Sequence, residues 1–414
     1  MFSSETLNIV VAAIFAATYI GMAVGGVPGL LINRTGIALL AAVSVAVVGA
    51  LAPLDALKAV DFPTLSILFG LMVLSAQFVL AGFYDWVAAR IAISRHGQSV
   101  LLALIVAVTG VLSAVLANDI VTFAIAPILT KGLIRRGIDA RPHLIALAAA
   151  SNAGSAATLI GNPQNILIGE AGHLHFLDFL AVCGPAALAA LIIVFVLVRV
   201  VFHAEIAHRL EPPELTLPAV DRGQVIKGLA ATIVLIGLFI SPLPRASSAL
   251  LIAAVLLISR RFAIREIMAQ VDWHLLLLFA CLFIVNEAFR RTGIAADGLV
   301  WLAQHGLLPD RLAVLGPLTL AASNSIGNVP AVIMLLALWK PAGAGALYGL
   351  ALLSTLAGNL FIPGSFANII TTERAKSAGV SIGFWDHARC GVPITILSIG
   401  IAVGWLIVAG QMPW

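Results

Sequence analysis

Four short polar stretches interrupt an otherwise apolar chain of 414 residues, and they contain the residue types that could bind a solute or an ion. One surrounds Asn118, and the others cover residues 151–165, 323–330 and 354–368. Their Asn, Gln and Ser side chains offer hydrogen-bond donors and acceptors together. None of the four contains Lys or Arg, and Asp119 is their only acid. The available chemistry is therefore that of amides, hydroxyls, backbone dipoles and a single carboxylate.

A helix that is broken inside a membrane exposes N–H groups at one new end and carbonyl groups at the other. The first end favours anions and the second favours cations. An anion would be held by helix N-termini and amides, and a neutral polyhydroxy solute would suit the same amides. A sodium ion could use carbonyls, Asn oxygens and Ser hydroxyls. The residues alone leave these three ligands open.

Asp119 has two compatible interpretations. A carboxylate inside a membrane is a functional hypothesis by default, and Asp119 could carry a coupling proton or help to bind a cation. It could equally be the N-cap of a helix that begins at Ile120.

The composition identifies the elements that must position these residues. The chain is 61% hydrophobic and 10% charged, whereas soluble domains carry roughly 25% charged residues. Apolar runs of about 17–25 residues, long enough to cross a bilayer, recur along the whole chain. The sequence therefore predicts an all-α polytopic membrane protein, for which we expect no nucleic-acid partner. Its net charge of +4 by itself says little about partners. The three cysteines lack metal-ligand spacing, so we expect no cofactor beyond a coupling proton or sodium ion.

We predict ten crossings and two re-entrant hairpins that enter and leave on the same side. The hairpins cover residues 98–134 and 309–340, and the crossings cover residues 6–24, 35–51, 62–82, 143–170, 176–201, 225–243, 247–259, 273–291, 345–373 and 383–410. This topology puts 17 of the 23 Lys and Arg residues on one side. The positive-inside rule assigns that side to the cytoplasm. The protein is then expected in the cytoplasmic (inner) membrane, with both termini on its outer side.

An internal repeat relates the two halves of the chain. The segment VDFPTLSILFG begins at residue 60 and VDWHLLLLFAC begins at residue 271, an offset of 211 residues. The same offset carries Arg34 onto Arg245. With small gaps, the downstream pairs are Asn118 and Asn328, Gly161 and Gly364, Asn165 and Asn368, and Glu170 and Glu373. Several matches in one order indicate a duplicated unit.

The second copy is predicted to be inverted, because each half holds an odd number of crossings. The first repeat would cover residues 1–202, a charged and Pro-rich cytoplasmic linker residues 203–224, and the second repeat residues 225–414. Inverted repeats are typical of secondary transporters, whose substrate site lies near the midplane where the repeats meet. We expect the breaks at 151–170 and 354–373 to face each other across such a site. The four breaks together would form a polar chamber lined by discontinuous helices.

The binding candidates are the polar residues and glycines of these breaks. They are Asn118, Asp119, Gly161, Asn162, Asn165, Asn324, Asn328, Gly364 and Asn368. For the repeat-matched asparagines we favour substrate or ion binding over an alternative in which they only satisfy the frayed backbone. For Asn162 and Asn324 the two interpretations are evenly balanced. The glycines are more simply explained by helix opening and close packing.

Three glutamates near the ends of predicted spans have simpler explanations. Glu170 and Glu373 are expected to be solvated at the membrane interface. Glu287 is expected to pair with Arg290 or Arg291 one turn further on.

The motifs ANDIVTFAIAPIL, SNAGSAATLIGNPQNILIGE and SNSIGNVPAVIMLL resemble the ion-transporter superfamily. That group includes arsenite-pump and sodium/proton-antiporter-type permeases, citrate-transporter-like proteins, divalent-anion/sodium symporters and plant silicon-efflux transporters. The resemblance implies two inverted repeats, two re-entrant hairpins, often a homodimer, and an elevator motion of a transport domain against a scaffold. The GNPQN stretch is most similar to the silicon- and arsenite-efflux members.

The resemblance also implies roles for individual residues. Asn118 and Asn328 match the asparagines of the symporters' paired Ser-Asn-Thr hairpin tips, and residues 161–165 match their Gly-Thr-Pro-Pro-Asn loop. Here the hydroxyls that flank both tip asparagines are missing, because the tips read Ala-Asn-Asp and Gly-Asn-Val. The Asn-Asp tip favours proton coupling over sodium coupling.

The sequence therefore predicts a secondary transporter that moves a small inorganic oxyanion or neutral oxyacid, such as arsenite or silicic acid, by proton-coupled efflux. The alternatives are a sodium-coupled di- or tricarboxylate symporter, a sodium/proton antiporter and a passive channel. An intramembrane enzyme would need a Ser–His pair, paired Asp residues or a metal cluster in mid-span. The sequence shows no such set, so an enzyme is not expected.

Overall fold

The computed structural model describes residues 3–26, 30–94, 97–206, 217–340 and 343–414, and all regular elements in these ranges are helices. The first ten are α1 (Ser4–Val24), α2 (Arg34–Val47), α3 (Pro53–Ala59), α4 (Phe62–Leu80), α5 (Phe83–Ala92), α6 (Gln98–Val115), α7 (Asn118–Arg135), α8 (Ala140–Ser155), α9 (Pro163–Ala171) and α10 (Phe176–Val201). The short α11 (His203–Ile206) follows them.

The second ten helices repeat the order of the first ten. They are α12 (Arg222–Ile240), α13 (Arg245–Leu257), α14 (Ile264–Met268), α15 (Trp273–Arg291), α16 (Ile294–Gln304), α17 (Leu312–Ile326), α18 (Asn328–Leu338), α19 (Ala344–Ala357), α20 (Phe366–Ser377) and α21 (Phe384–Val408), with a 3₁₀ turn at Ile362–Gly364. The helices α3, α4 and α5 and their counterparts α14, α15 and α16 begin at the offset of 211 residues that relates the two copies in the sequence.

Matching residues give matching local structure in the two copies. Asp61 and Asp272 are the N-caps of α4 and α15, and each accepts a hydrogen bond from the backbone N–H three residues on, at 3.2 and 2.9 Å. An N-cap carboxylate satisfies one of the free donors of the first turn. Both long helices are followed by a glycine with positive φ, Gly82 at 73° and Gly293 at 82°. That conformation is costly for any residue with a Cβ, which explains why a glycine follows both α4 and α15.

The packing is reciprocal between the repeats. Helix α2 packs against α15, and its counterpart α13 packs against α4. We call α1, α2, α4, α12, α13 and α15 the scaffold group. The helices α6–α10 and α17–α21 form the hairpin group, in which α10 and α21 pack against each other. Contacts between the two groups include those of α4 with α9, of α15 with α18 and of α1 with α17.

Two inverted repeats with hairpins and broken helices are confirmed as the architecture. The hairpins are α6–α7 and α17–α18, and the broken helices are α8–α9 and α19–α20. Seven helices among the described residues are long and apolar enough to cross a membrane: α1, α4, α6, α10, α12, α15 and α21. Residues 207–216 of the predicted linker lie outside the described ranges, so its limits stay a prediction.

Candidate functional site

The first hairpin tip lies directly on the break between α8 and α9. The backbone N–H of Asn118 donates to the carbonyl of Gly161 at 3.2 Å. The hydroxyl of Ser151 donates to the carbonyl of Asn118 at 3.2 Å and lies 3.1 Å from the hydroxyl of Ser113. The Oδ1 atom of Asn118 is buried and accepts no hydrogen bond. The tip is thus anchored through its backbone, which leaves this side-chain oxygen available.

Asn165 holds the first break open through its amide nitrogen. Its Nδ2 atom donates to the carbonyl of Ser155 at 3.1 Å and to that of Thr158 at 2.9 Å. Ser155 is the last residue of α8 and Thr158 follows it, so these carbonyls lie where helical partners are missing. The Asn165 Oδ1 atom is buried without a hydrogen-bond partner. The side chain therefore satisfies the backbone of the break with one end and keeps an acceptor at the other.

Asn368 repeats this arrangement in the second break. Its Nδ2 atom donates to the carbonyl of Gly358 at 2.8 Å and to that of Phe361 at 3.1 Å. Gly358 and Phe361 are the repeat counterparts of Ser155 and Thr158, whose carbonyls accept from Asn165. The matched asparagines thus do the same structural work, which was the alternative to a binding role. Their binding role stays a prediction, and the amide nitrogens are already occupied.

The two breaks contact each other directly. Asn152 donates to the Oδ1 atom of Asn359 at 2.8 Å and accepts from the hydroxyl of Ser365 at 2.8 Å. Asn162 donates to the hydroxyl of Thr355 at 3.3 Å. All five residues are at most 2% exposed. The breaks face each other as predicted, and at this point they are joined by direct hydrogen bonds between their amides and hydroxyls. The polar chamber of all four breaks stays a prediction.

The second hairpin also supports the neighbouring break. Asn324 donates to the carbonyl of Ala357 at 2.9 Å and accepts from the backbone N–H of Phe361 at 3.3 Å. A Cβ atom at Gly364 would stand 2.5 Å from the Asn324 Oδ1 atom. Glycine is therefore required by close packing. The Oδ1 atom of Asn328, at the hairpin tip, accepts from the N–H of Val329 at 3.0 Å.

Asp119 lies beside the breaks and lines two cavities. Helix α7 begins at Asn118 with Ala117 as its N-cap, so the expectation that Asp119 caps a helix from Ile120 is wrong. Asp119 stands in the first turn instead, where the helix dipole favours a negative charge. The larger cavity has a volume of about 460 Å³ and the smaller about 40 Å³. Of the nine predicted site residues, only Asp119 and Asn162 line either cavity.

Asp272 is the cavity residue that our sequence-based reasoning missed. It lines both cavities together with Asp119. Its side chain comes from the scaffold group, whereas Asp119 comes from the hairpin group. The repeat had marked Asp272 as the match of Asp61, but only as a sign of duplication. Arg34 and His274 also line the larger cavity.

The two ends of the molecule differ at a matched arginine. Arg245 forms an ion pair with Glu170 at 3.1 Å, with side chains that are 17% and 19% exposed. The expectation that Glu170 is solvated is therefore wrong. Arg34, the counterpart of Arg245, borders the larger cavity, and its guanidinium lies 5.9 Å from the ring centre of Phe366.

Comparison with known proteins adds independent evidence. Residues 10–357 match the family described as CitMHS, citrate transporter. A 46 kDa membrane protein of Mycobacterium leprae (strain TN) is 30% identical over 370 residues, which cover 83% of this chain and 85% of that protein. The silicon efflux transporter LSI3 of Oryza sativa subsp. japonica is 26% identical, with 91% of this chain and 93% of that protein covered. The crystal structure of the Alcanivorax borkumensis YdaH transporter, described as having an unusual topology, matches with a TM-score of 0.58 and 15% identity over 98% of this chain and all of that one.

Proposed function

The chain belongs to the citrate transporter family, and from that premise we propose that it moves a small inorganic oxyanion or neutral oxyacid, such as arsenite or silicic acid, by proton-coupled efflux. Membership of the family makes it a membrane transporter with a small molecule or ion as substrate. The position of Asp119 carries the finer proposal. It is the one acid of the four breaks, and it lines both cavities beside Asn162.

The charges around the cavities support a substrate of low negative charge. Asp119 and Asp272 both face the smaller cavity. Two carboxylates repel a di- or tricarboxylate, and they favour a proton or a neutral oxyacid. Of these two cavities, Arg34 borders the larger one and not the smaller one. Arsenous and silicic acids carry hydroxyl groups that can donate to a carboxylate and accept from an amide.

A difference in register between the repeats supports an elevator motion. Arg245 is level with Glu170, whereas Arg34 is level with Phe366. The repeat counterpart of Glu170 is Glu373, seven residues beyond Phe366. Seven residues of α-helix span about 10 Å. The hairpin group would therefore slide by about 10 Å against the scaffold group between two end states.

We further propose that the larger cavity opens to the cytoplasm and that both termini lie on the outer side of the inner membrane. The distribution of Lys and Arg supports this orientation. The chain would act as a homodimer, as the resemblance implies. The sodium-coupled symporter, the sodium/proton antiporter and the passive channel remain the competing functions.

Flux measurements in proteoliposomes test this function. Vesicles that contain the purified chain would be supplied with arsenite or silicic acid, and a proton gradient or a sodium gradient would be imposed separately. A one-unit pH gradient supplies about 1.4 kcal/mol per proton, which supports about tenfold accumulation. We expect wild-type protein to accumulate substrate under the proton gradient alone.

Variants of Asp119 separate proton coupling from transport itself. Asp119→Asn should keep substrate counterflow and lose proton-driven accumulation. Asp85→Asn, which removes an exposed acid of α5 away from both cavities, is the matched control and should behave as wild type. Accumulation that follows only the sodium gradient would favour the symporter. Flux without saturation or counterflow would favour the channel.

A further inference from the structure

We propose that Arg34 and Glu373 form an ion pair in the opposite, outward-open state. This pair would replace the Arg245–Glu170 pair, which closes the outer side in the present state. The inference rests on the proposed transport function, and it adds the contacts that hold the two end states.

The existing pair joins the two groups of helices. The Nη1 atom of Arg245, at the start of α13, lies 3.1 Å from the Oε1 atom of Glu170, near the end of α9. The Nη2 atom of Arg245 also donates to the carbonyl of Leu174 at 2.7 Å. Both charged side chains are largely withdrawn from solvent. Such a pair is screened less than a surface pair, so it stabilises contact between scaffold and hairpin groups.

The matched residues are both present on the other side, but they are apart. Arg34 begins α2 as Arg245 begins α13. Among the residues that the structure describes, Arg34 has no carboxylate within ion-pair distance, and its Nε atom donates to the carbonyl of Met22 at 3.2 Å. Glu373 is exposed on α20. The same two residue types are therefore present on both sides of the molecule, but they form an ion pair on one side only.

The geometry of α20 shows what would bring the second pair together. Phe366, Ile370 and Glu373 follow the spacing of one helix face, and the first two line the cavity beside Arg34. A slide of about 10 Å along α20 replaces Phe366 by Glu373 at the level of Arg34. The neighbouring Arg374 does not compete, because its guanidinium lies 3.5 Å from the ring centre of Phe123 on α7.

The same slide would complete the second arrangement in detail. The repeat carries Leu174 onto Ser377, so the carbonyl of Ser377 is the expected second acceptor for Arg34. On the outer side, Glu170 would leave Arg245, and Pro163 would come level with it. The two states would then exchange equivalent contacts between the repeats.

Cross-linking of the full chain in membrane vesicles tests the exchange. The three cysteines, all buried, are first replaced by alanine. The test pair is Arg34→Cys with Glu373→Cys, and the matched control is Arg34→Cys with Ile370→Cys, bridged by mercuric ions. We expect the control pair to cross-link in the present state. Adding Glu170→Gln should raise the yield of the test pair about fivefold to tenfold and lower that of the control.

Charge reversal tests whether attraction between the two side chains matters. The reporter is His274→Cys, which faces the larger cavity, labelled by a membrane-impermeant maleimide from the cytoplasmic side. Arg34→Glu should increase labelling, and Arg34→Glu with Glu373→Arg should return it to the starting level. A purely structural Arg34 would not be rescued, because the carboxylate introduced by Arg34→Glu has no donor for the carbonyl of Met22. Glu373→Gln alone changes an exposed side chain and should also increase labelling.

Two results would overturn the inference. One is a test pair that never cross-links, with or without Glu170→Gln, while the control pair does. The other is a charge-reversed double variant that labels like Arg34→Glu alone. Neither assay uses a transported solute. Absence of arsenite or silicic acid flux together with alternating cross-links would therefore reject the proposed substrates and leave the ion-pair exchange standing.

Discussion

Replacement of Asn165 by alanine should destabilise the protein, because this side chain satisfies two buried carbonyls in the first break. The variant loses the hydrogen bonds to Ser155 at 3.1 Å and to Thr158 at 2.9 Å. Asn368→Ala removes the matching bonds to Gly358 at 2.8 Å and to Phe361 at 3.1 Å. Equal local geometry predicts similar losses of stability in the two variants.

The expected size of the loss follows from these contacts. Each hydrogen bond contributes about 1 kcal/mol net in proteins and about 0.6 kcal/mol on average between membrane helices. A buried acceptor left without a donor costs about 1–3 kcal/mol, and Asn165 is fully buried. We expect a decrease of about 2–4 kcal/mol in the free energy of unfolding for each variant.

The assay is unfolding in mixed detergent micelles, followed by tryptophan fluorescence as the denaturing detergent increases. Asn165→Asp is an informative companion, because it keeps the shape of the side chain but has no amide donor. It should lose at least as much stability as Asn165→Ala. The control is Ser325→Ala, at an exposed residue of the second hairpin, which should change the free energy by less than about 0.5 kcal/mol. Losses below about 0.5 kcal/mol in both alanine variants would refute a backbone-satisfying role for these asparagines.

Two further predictions concern helix packing and a charge outside the membrane. A Cβ atom at Gly154 would overlap the backbone of Gly110, so Gly154→Ala should separate α6 from α8 and lower the melting temperature by several degrees. Gly298→Ala, which meets no atom within 4 Å in α16, is the control and should leave the melting temperature unchanged or raise it. Burial raises the pKa of Asp139, but the hydrogen bond and charge of Arg141 outweigh it, and the net pKa lies below the usual value. The pair at 2.6 Å should therefore contribute stability at neutral pH that is lost as the pH falls through the acidic range, and Asp139→Asn should remove this pH dependence of the melting temperature.

Much of the architecture follows from local patterns in the sequence. Apolar runs with polar interruptions located the hairpins and broken helices, because backbone groups in hydrocarbon need internal partners. The repeated Asp-aromatic start located α4 and α15, because an N-cap acts within one turn of helix. The pairing of Glu287 with Arg290 and Arg291, at 2.7 and 2.8 Å, is confirmed for the same reason.

The candidate site depended more on contacts between distant segments. Asn165 and Asn368 were found by their spacing, but the carbonyls that occupy their amides became evident only in the fold. Asp272 comes near Asp119 because the scaffold and hairpin groups meet there. A long stretch of chain separates the two residues, and no local pattern joins them.

The sequence by itself determined a duplicated, inverted membrane protein whose four breaks carry amides and one acid. Those features depend on residue types and short spacings, because hydrophobicity and helix geometry act locally and fix where helices form and where they break. Only the tertiary structure decided which of the two matched arginines is paired, because Arg34 and Glu373 repeat Arg245 and Glu170 so closely that the sequence describes both sides alike. The difference between them is one of register between packed helices. In the structure, packing sets Arg245 against Glu170 and Arg34 against Phe366.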